Sequence, residues 1–278
     1  MIGEALAASI DALRAAGVED PRLDAEVLLA EATGWDRAAL ATDPEAEIPP
    51  PAARRFAEMV RRRLRREPVA YIVGRRGFRH LELAVDPRVL IPRPETELLV
   101  ELALELRPAS VLDVGTGSGA VALAIAAELP GCAVTATDTS AAALEVAAAN
   151  AETLGLASRV RLIAGAVPED GAFDLIVANL PYVAEAEWPS LQPEVTEWEP
   201  REALLAGPDG LDAIRAFLRR VRPSSPLWRT KAKSAEGVVA LEVGEGQAVA
   251  VAGLMEEAGF EAIDVRKDLA GIERVVVG

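Results

Sequence analysis

The chain has 278 residues, 51% of them hydrophobic and 26% charged, which is typical of one large globular domain or of a standard domain plus a small one. No apolar run is long enough to span a bilayer and the first residues lack the pattern of a signal peptide, so we expect a cytoplasmic protein. Its single cysteine and single histidine argue against an internal disulfide, a multi-histidine metal site and a Ser-His-Asp triad, and no metal is expected.

The net charge of −15 is concentrated in the C-terminal two thirds of the chain. Residues 1–90 carry 14 Lys/Arg and 15 Asp/Glu, whereas the remainder carries 15 and 29. Because attraction to phosphate supplies most non-specific affinity for nucleic acid, we expect no direct nucleic-acid partner for the acidic part. The arginine-rich stretch 54–66 has two interpretations, a solvated helix face or a docking surface for an acidic or RNA-containing partner.

The first 70 residues are predicted to form a helical domain. Apolar spacing indicates helices over 3–16, from 21 to near 34, and from 52 onward. Residues 71–95 then read as a β-hairpin and linker, in which Gly74 and Gly77 supply turns before a strand near residues 81–85. Thr96 is expected to cap the helix that follows, and residues 96–278 form the third segment.

From residue 110 onward, apolar strands alternate with helices. This alternation predicts an α/β fold, a doubly wound and mostly parallel seven-stranded sheet preceded by the small helical domain. Ligands of such sheets bind outside the carboxyl ends of the strands. The predicted strands are 110–114, 133–137, 160–164, 173–178, 238–243, 262–265 and 274–277. We interpret residues 222–236, which contain two prolines and several basic residues, as an extended surface loop.

A glycine-rich loop follows the first of these strands. Gly115, Gly117 and Gly119 permit a tight turn and a close approach of a ligand to the backbone. The pattern also fits a loose dinucleotide fingerprint, so nicotinamide binding is an alternative. Asp113 favours S-adenosylmethionine, because a carboxylate there suits a cationic amino group better than a pyrophosphate. Asp138 ends the next strand, where it can accept hydrogen bonds from ribose hydroxyls.

The fourth strand runs into the tetrapeptide Asn179-Leu180-Pro181-Tyr182. The side-chain oxygen of Asn179 and the carbonyl of Leu180 can each accept one N–H, which would orient an amide or aromatic amino group for methyl transfer. Pro181 offers no competing donor, and the ring of Tyr182 can lie against a planar group. A common Asn-x-Pro turn is the simpler interpretation of the tetrapeptide taken alone.

Strings distributed along nearly the whole chain resemble those of the PrmC/HemK-type protein-(glutamine) methyltransferases of peptide chain release factors. The string Ile-Pro-Arg-Pro-Glu-Thr at 91–96, together with the tetrapeptide, is quite specific to that family. The other matching segments are 20–26, 67–72, the glycine loop, 199–201, 203–204, 207, 209–210 and 241–244.

The resemblance implies transfer of a methyl group from S-adenosylmethionine to the glutamine of a Gly-Gly-Gln loop in a release factor, with S-adenosylhomocysteine as product. It implies that the helical domain helps to hold this protein substrate, and we expect a monomer. The residues assigned to substrate and catalysis are Asn179, Leu180, Pro181 and Tyr182. Those assigned to the cofactor are Asp113, Gly115, Thr116, Gly117, Ser118, Gly119, Asp138, Val167 and Asn179.

Two positions depart from the family pattern. Leu180 stands where proline is usual, although a backbone carbonyl could keep its role there. Residues 164–168 lack the acidic and aromatic residues usual near the adenine, which leaves Val167 as the residue expected to pack on that ring. The alternatives are an amino methyltransferase acting on adenine or cytosine of DNA or RNA, a nicotinamide-dependent oxidoreductase and a catalytically inactive binding module.

Overall fold

The computed structural model describes residues 1–169, 171, 173–228 and 237–278, and these fall into two units. One unit comprises Met1–Arg75 together with Gln192–Trp198, and the other comprises Arg76–Leu191 and Glu199–Gly278. Each unit has its own buried apolar clusters.

The first unit is helical. Its longer helices bury one apolar face each, with Leu28, Phe56 and Met59 in a shared cluster. Two helices that the sequence did not predict are each less than two turns long, which is too short for a helical period to be recognised. The helices within residues 1–75 are α1 (Ile2–Ala15), α2 (Pro21–Thr33), α3 (Arg37–Thr42), α4 (Pro50–Leu64) and α5 (Val69–Val73), and the short helix Pro193–Thr196 also belongs to this unit.

Several arginines of the stretch 54–66 form ion pairs within this unit and do not simply face water. Arg63 is 6% exposed and bonds Asp24 at 2.6 Å and Glu194 at 2.7 Å. Arg66 bonds the same Glu194 at 2.5 Å, and Arg62 pairs with Glu67. The apolar spacing predicted that Arg62 and Arg66 lie mostly opposite the apolar face, but it made no prediction for Arg63, and the sequence did not show which carboxylates pair with them.

A two-stranded sheet is formed by β1 (Arg75–Phe78) and β2 (Leu81–Ala84), and the second unit begins at Arg76, the second residue of β1. The predicted strand near 81–85 is therefore present, but Gly77 lies within β1, so its prediction as a turn residue is wrong. Gly74 ends α5 in the left-handed conformation.

The predicted seven-stranded, mostly parallel α/β sheet is confirmed, with strand order β5-β4-β3-β6-β7-β9-β8. Strands β3 to β7 are parallel, and β9 runs antiparallel to both β7 and β8. The strands are β3 (Ser110–Val114), β4 (Ala133–Asp138), β5 (Val160–Ala164), β6 (Leu175–Ala178), β7 (Val238–Glu242), β8 (Asp264–Lys267) and β9 (Glu273–Val277). The further helices are α6 (Glu97–Leu106), α7 (Ala120–Glu128), α8 (Ala141–Thr153), α9 (Pro193–Thr196), α10 (Asp212–Val221) and α11 (Ala248–Glu257).

Both faces of the central strands are buried, which is why these strands are almost continuously apolar in sequence. Val111 and Val177 contribute to the apolar cluster on one face, whereas Leu112 and Ile176 contribute to the cluster on the other. The strand order reverses at β3, which pairs with β4 on one side and with β6 on the other. A crevice at such a reversal is the usual ligand site of this fold, and here it is flanked by the loops after β3 and β6.

The described part of segment 222–236 fits the expected extended surface loop only in part, because residues 222–224 and 226 are exposed whereas the two residues that follow are packed. Leu227 is 3% exposed, and the ring of Trp228 packs edge-on against Phe260 with a centroid distance of 6.4 Å. The indole N–H of Trp228 donates to the carbonyls of Val221 and Arg222, each at 3.0 Å, so the partly buried ring keeps its hydrogen bond. Residues 229–236 lie outside the described residues.

Among the residues that the structure describes, no helix has the length and apolarity required to cross a membrane.

Candidate active site

The glycine-rich loop leaves β3 and opens α7 through three left-handed glycines. The φ angles of Gly115, Gly117 and Gly119 are +74°, +56° and +86°, a region that side chains with a Cβ rarely adopt. The amides of Gly115 and Thr116 both donate to the carbonyl of Thr137 at 2.9 Å, which ties the loop to the end of β4. A Cβ built on Gly117 would meet no atom within 4 Å, so the backbone is open to a ligand there.

Asp113, at the penultimate position of β3, is 2% exposed and braces the loop from within. Its Oδ2 accepts the Thr116 hydroxyl at 2.6 Å and the amide of Ala122 at 3.2 Å. Burial raises the pKa of this carboxyl to about 6, against the lowering effect of its two hydrogen bonds. A cationic ligand group near Asp113 would favour the ionised form.

Asp138, the last residue of β4, also holds the loop. One carboxylate oxygen accepts the amide of Gly117 at 2.9 Å, and the other accepts the amide of Ser140 at 2.8 Å. Each oxygen retains a further lone pair for a ligand hydroxyl. The sequence anticipated the position of Asp138 beside the loop but not these two bonds to the backbone.

Asn150 is a supporting residue that the sequence analysis missed. It lies on α8, is 2% exposed, and its side-chain nitrogen donates to the carbonyls of Ser118 at 2.8 Å and Ala84 at 3.0 Å. Its side-chain oxygen accepts the amide of Ala84 at 2.7 Å. The only signal in the sequence was an asparagine among the alanines of a predicted helix.

Val167, the residue expected beside the adenine, is 8% exposed and packs within the cluster that contains Val114 and Phe173. The neighbouring carbonyl of Ala166 accepts the Thr137 hydroxyl at 3.0 Å. Val167 thus stands beside the carboxyl end of β4, with most of its surface packed against protein.

The tetrapeptide adjoins the glycine loop. A Cβ built on Gly115 would lie 3.4 Å from Leu180 Cδ2 and 3.6 Å from the carbonyl oxygen of Asn179. The structure therefore brings the two motifs, more than 60 residues apart in sequence, into van der Waals contact at the carboxyl edge of the sheet.

The side chain of Asn179 is held by Thr96, to whose Oγ1 its Nδ2 donates at 3.0 Å. We expected Thr96 to cap α6. It occupies the N-cap position but makes no side-chain capping bond, so that prediction is wrong. Thr96 also lies beside Glu242: burial raises the pKa of this carboxyl to about 7, and the Thr96 hydroxyl acts against that rise.

Tyr182 is fixed mainly through its backbone. Gln247 donates its Nε2 to the Tyr182 carbonyl at 2.9 Å and accepts the amide of Gly244 at 2.9 Å. A Cβ on Gly210 would lie 2.3 Å from that same carbonyl, so only glycine fits there. Burial raises the pKa of the Tyr182 phenol to about 12, which keeps it neutral at physiological pH.

A small pocket opens beside the tetrapeptide. Its wall includes Arg93, which forms an ion pair with the buried Glu199; this carboxylate also accepts the amide of Ile91 at 3.0 Å. This pair joins the Pro-Arg-Pro string to the segment after α9. The lining residues are Leu90, Arg93, Asn179, Tyr182, Val183, Ala203 and Leu204.

Comparison with protein families gives two adjacent matches. Residues 4–74 match the PrmC N-terminal domain, and residues 94–193 match the methyltransferase small domain.

Several curated relatives match over nearly the full length of both chains, and each carries the name release factor glutamine methyltransferase. The protein of Cereibacter sphaeroides is 44% identical over 98% of this chain and 96% of its own. The protein of Moorella thermoacetica is 44% identical over 98% and 95%, and that of Geobacter sulfurreducens is 42% identical over 94% and 90%.

Solved structures share the fold at low sequence identity. A methyltransferase from Pyrococcus furiosus superposes with a TM-score of 0.51 and 20% identity, covering 71% of this chain and 87% of its own. The hMettl16 catalytic domain gives a TM-score of 0.56 at 14% identity, covering 70% and 74%. The sheet is thus that of known methyltransferases.

Proposed function

The chain belongs to the release factor glutamine methyltransferase family and is an S-adenosylmethionine-dependent methyltransferase, and we propose that it methylates the side-chain amide of the glutamine in the Gly-Gly-Gln loop of peptide chain release factors. The observation that carries this proposal is the contact between Gly115 of the glycine loop and Asn179-Leu180. Because of this contact, a substrate amide bound by the tetrapeptide would lie next to a cofactor bound by the glycine loop.

The residues at the loop fit the cofactor. The open backbone at Gly117 accommodates a close approach, the buried Asp113 suits a cationic amino group, and Asp138 offers free lone pairs to ribose hydroxyls. The cofactor supplies an electrophilic methyl group on a positively charged sulfur. The protein therefore has to bind and align the nucleophile.

An amide nitrogen is a poor nucleophile because its lone pair is delocalised into the carbonyl. The side-chain oxygen of Asn179 and the carbonyl of Leu180 would accept the two N–H bonds of the substrate amide and favour a pyramidal nitrogen. The phenol of Tyr182 stays neutral, so it adds a flat polar surface and no charge. The proton can leave after the methyl group is transferred, because the positively charged N-protonated amide formed at that point is strongly acidic, and no base on the protein is needed before attack.

The proposed partner is a protein, and the helical unit is proposed to help hold it. The family match over residues 4–74 supports a dedicated role for these helices. The acidic charge of the part after residue 90 supports a substrate other than bulk nucleic acid. We further propose that the enzyme acts as a monomer in the cytoplasm, where peptide chain termination takes place.

The test is methyl transfer from labelled S-adenosylmethionine to a purified release factor and, separately, to DNA and RNA. We expect label on the release factor alone, and replacement of the glutamine in its Gly-Gly-Gln loop should abolish it. A release factor whose Gly-Gly-Gln glutamine is intact but whose other exposed glutamines are replaced is the matched control and should be labelled normally. Label on nucleic acid but not on the release factor would overturn the proposal.

A further inference from the structure

A buried carboxylate lies behind the tetrapeptide at the carboxyl edge of the sheet. Glu242 ends β7 and is 2% exposed. Since Ala178 at the end of β6 pairs with Leu241 of β7, the next residue along the chain in each case, Asn179 and Glu242, lies at the same level of the carboxyl edge. Burying a carboxylate is unfavourable unless it is hydrogen-bonded, so the position calls for an explanation.

The hydrogen bonds of Glu242 are incomplete. Thr96 is the hydroxyl-bearing neighbour that counteracts the rise in the pKa of this carboxyl, whereas its Oε2 has no hydrogen-bond partner among the described residues. Three charged side chains influence the pKa of Glu242: Glu95 raises it, and Arg274 and Arg93 lower it. Glu242 in turn raises the pKa of the Tyr182 phenol. No ion pair therefore accounts for its burial within the described part of the chain, and its direct partner is Thr96.

Glu242, Thr96 and Asn179 form a hydrogen-bonded series, which we call the orientation chain, and the proton of each bond has a defined direction. A carboxylate can only accept, so the single proton of the Thr96 hydroxyl points to Glu242. Only lone pairs of Thr96 Oγ1 then face Asn179, which must present its Nδ2 and does so at 3.0 Å. The Asn179 side-chain oxygen is consequently turned away from Thr96, and Asn179 lines the pocket.

We propose that Glu242 and Thr96 are positioning residues that fix the orientation of the Asn179 amide, so that its oxygen and not its nitrogen faces the substrate N–H. This proposal rests on the proposed function, which assigns the acceptor role to Asn179. Neither positioning residue belongs to the tetrapeptide: Thr96 ends the string Ile-Pro-Arg-Pro-Glu-Thr at 91–96, and Glu242 is the last residue of β7.

The protonation state of Glu242 determines which atoms donate and which accept along the orientation chain. When Glu242 is protonated it can donate to Thr96, whose own proton is then free to bond the Asn179 oxygen. The amide would turn and present its NH₂ to the substrate, which also needs an acceptor. Burial raises the pKa of Glu242 to about 7, so turnover should increase as pH rises through that value.

Kinetics of the full-length enzyme on a release factor test the hydroxyl. Thr96→Val keeps the shape but removes the hydroxyl, and kcat should fall about ten-fold or more, while the thermal midpoint and the Kd for S-adenosylmethionine change little. Thr96→Ser is the matched control and should retain most of kcat. A Thr96→Val enzyme with wild-type kcat, or equal losses in both variants, would overturn the proposal.

The pH dependence tests the carboxylate. In the wild type, kcat should rise through about pH 7, and Glu242→Gln should remove that rise because its side chain does not titrate. An unchanged profile in Glu242→Gln would count against the proposal. If Glu242→Gln does not fold, the Thr96 variants and the pH dependence of the wild-type Asn179 NH₂ signals, described below, still test the proposal: Asn179 signals that do not change around pH 7 would overturn it.

Nuclear magnetic resonance can follow the orientation directly, without any substrate. The chain contains two asparagines, Asn150 and Asn179, so labelling asparagine side chains with ¹⁵N yields two NH₂ pairs. The Asn179 pair should shift with pH around 7 in the wild type and not in Glu242→Gln. The Asn150 pair, which donates to two backbone carbonyls, is the internal control and should stay fixed.

The two measurements separate the inference from the proposed function. Suppose that the wild type methylates no release factor but the NH₂ signals of Asn179 shift with pH. The proposed substrate is then wrong, and the orientation chain is supported. Suppose instead that release factor is methylated, that Asn179→Ala abolishes turnover, and that the NH₂ signals of wild-type Asn179 do not shift with pH. The orientation chain is then wrong, and the proposed function is supported.

Discussion

Asn179 uses its side-chain nitrogen on Thr96, and this leaves its oxygen as the group available to a substrate. The other proposed acceptor, the carbonyl of Leu180, belongs to the backbone and does not depend on the identity of the side chain. The leucine in place of the usual proline is therefore compatible with the proposed chemistry. What the proposed chemistry requires at these two residues is a pair of oxygens beside the glycine loop.

Asn179→Ala should lower turnover on a release factor by about 10²–10³-fold, because one of two aligned acceptors is lost. The Kd for S-adenosylmethionine should change much less, which isothermal titration can measure. Asn150→Ala is the comparison: it should instead lower the melting temperature and weaken cofactor binding, since Asn150 braces the loop at Ser118. Near-normal turnover of Asn179→Ala would refute the acceptor role.

At the scale of elements, loops after neighbouring parallel strands converge, and glycines permit their close approach. Gly210 has a φ of +74° and faces the carbonyl of Tyr182, which Gln247 also holds. This loop therefore positions the end of the tetrapeptide through the backbone.

Gly210→Ala should reduce methyl transfer at least ten-fold, because its Cβ would come within 2.3 Å of the Tyr182 carbonyl and displace it. Gly155→Ala provides a control for backbone strain alone. Its φ is +69° and no atom lies within 4 Å of the added Cβ, so we expect a loss of about 1–2 kcal/mol of stability with normal kcat. Equal effects on kcat would mean that contact with Tyr182 is not important.

At the scale of the whole molecule, residues 192–198 belong to the first, helical unit, although the residues on either side of them in sequence belong to the second unit. Glu194 anchors this segment through Arg63 and Arg66. Burial alone would raise the pKa of Glu194, but the hydrogen bonds from these arginines outweigh it and hold the pKa below its ordinary value.

Glu194→Gln should lower the free energy of unfolding of the helical unit by about 1–3 kcal/mol at neutral pH, measured by urea denaturation. Because the native pKa is depressed, this contribution is present above the pKa of the unfolded state and is lost as pH falls through the native value. The difference from the wild type should therefore shrink in acid. The exposed Glu197 lies in the same segment, and Glu197→Gln should change stability by less than about 0.5 kcal/mol.

The features that the sequence determined by itself are those written in consecutive residues. The alternation of apolar strands and helices predicted the sheet, since strands buried on both faces must be apolar throughout. The glycine loop and the tetrapeptide could be located because chain order and strand polarity place both at one edge. The resemblance then rested on strings such as Pro-Arg-Pro-Glu-Thr, and the near full-length relatives confirm it.

Only the tertiary structure decided which side chains support those motifs. Thr96 looked like a helix cap because capping is a local pattern, but its hydroxyl lies against Asn179, 83 residues away. Trp228 looked exposed among polar residues, and Phe260 lies against it. The physical reason is the same in both cases: a hydrogen bond or a ring contact is made with whatever the sheet register and the packing bring near, and neither is encoded in the neighbouring residues of the chain.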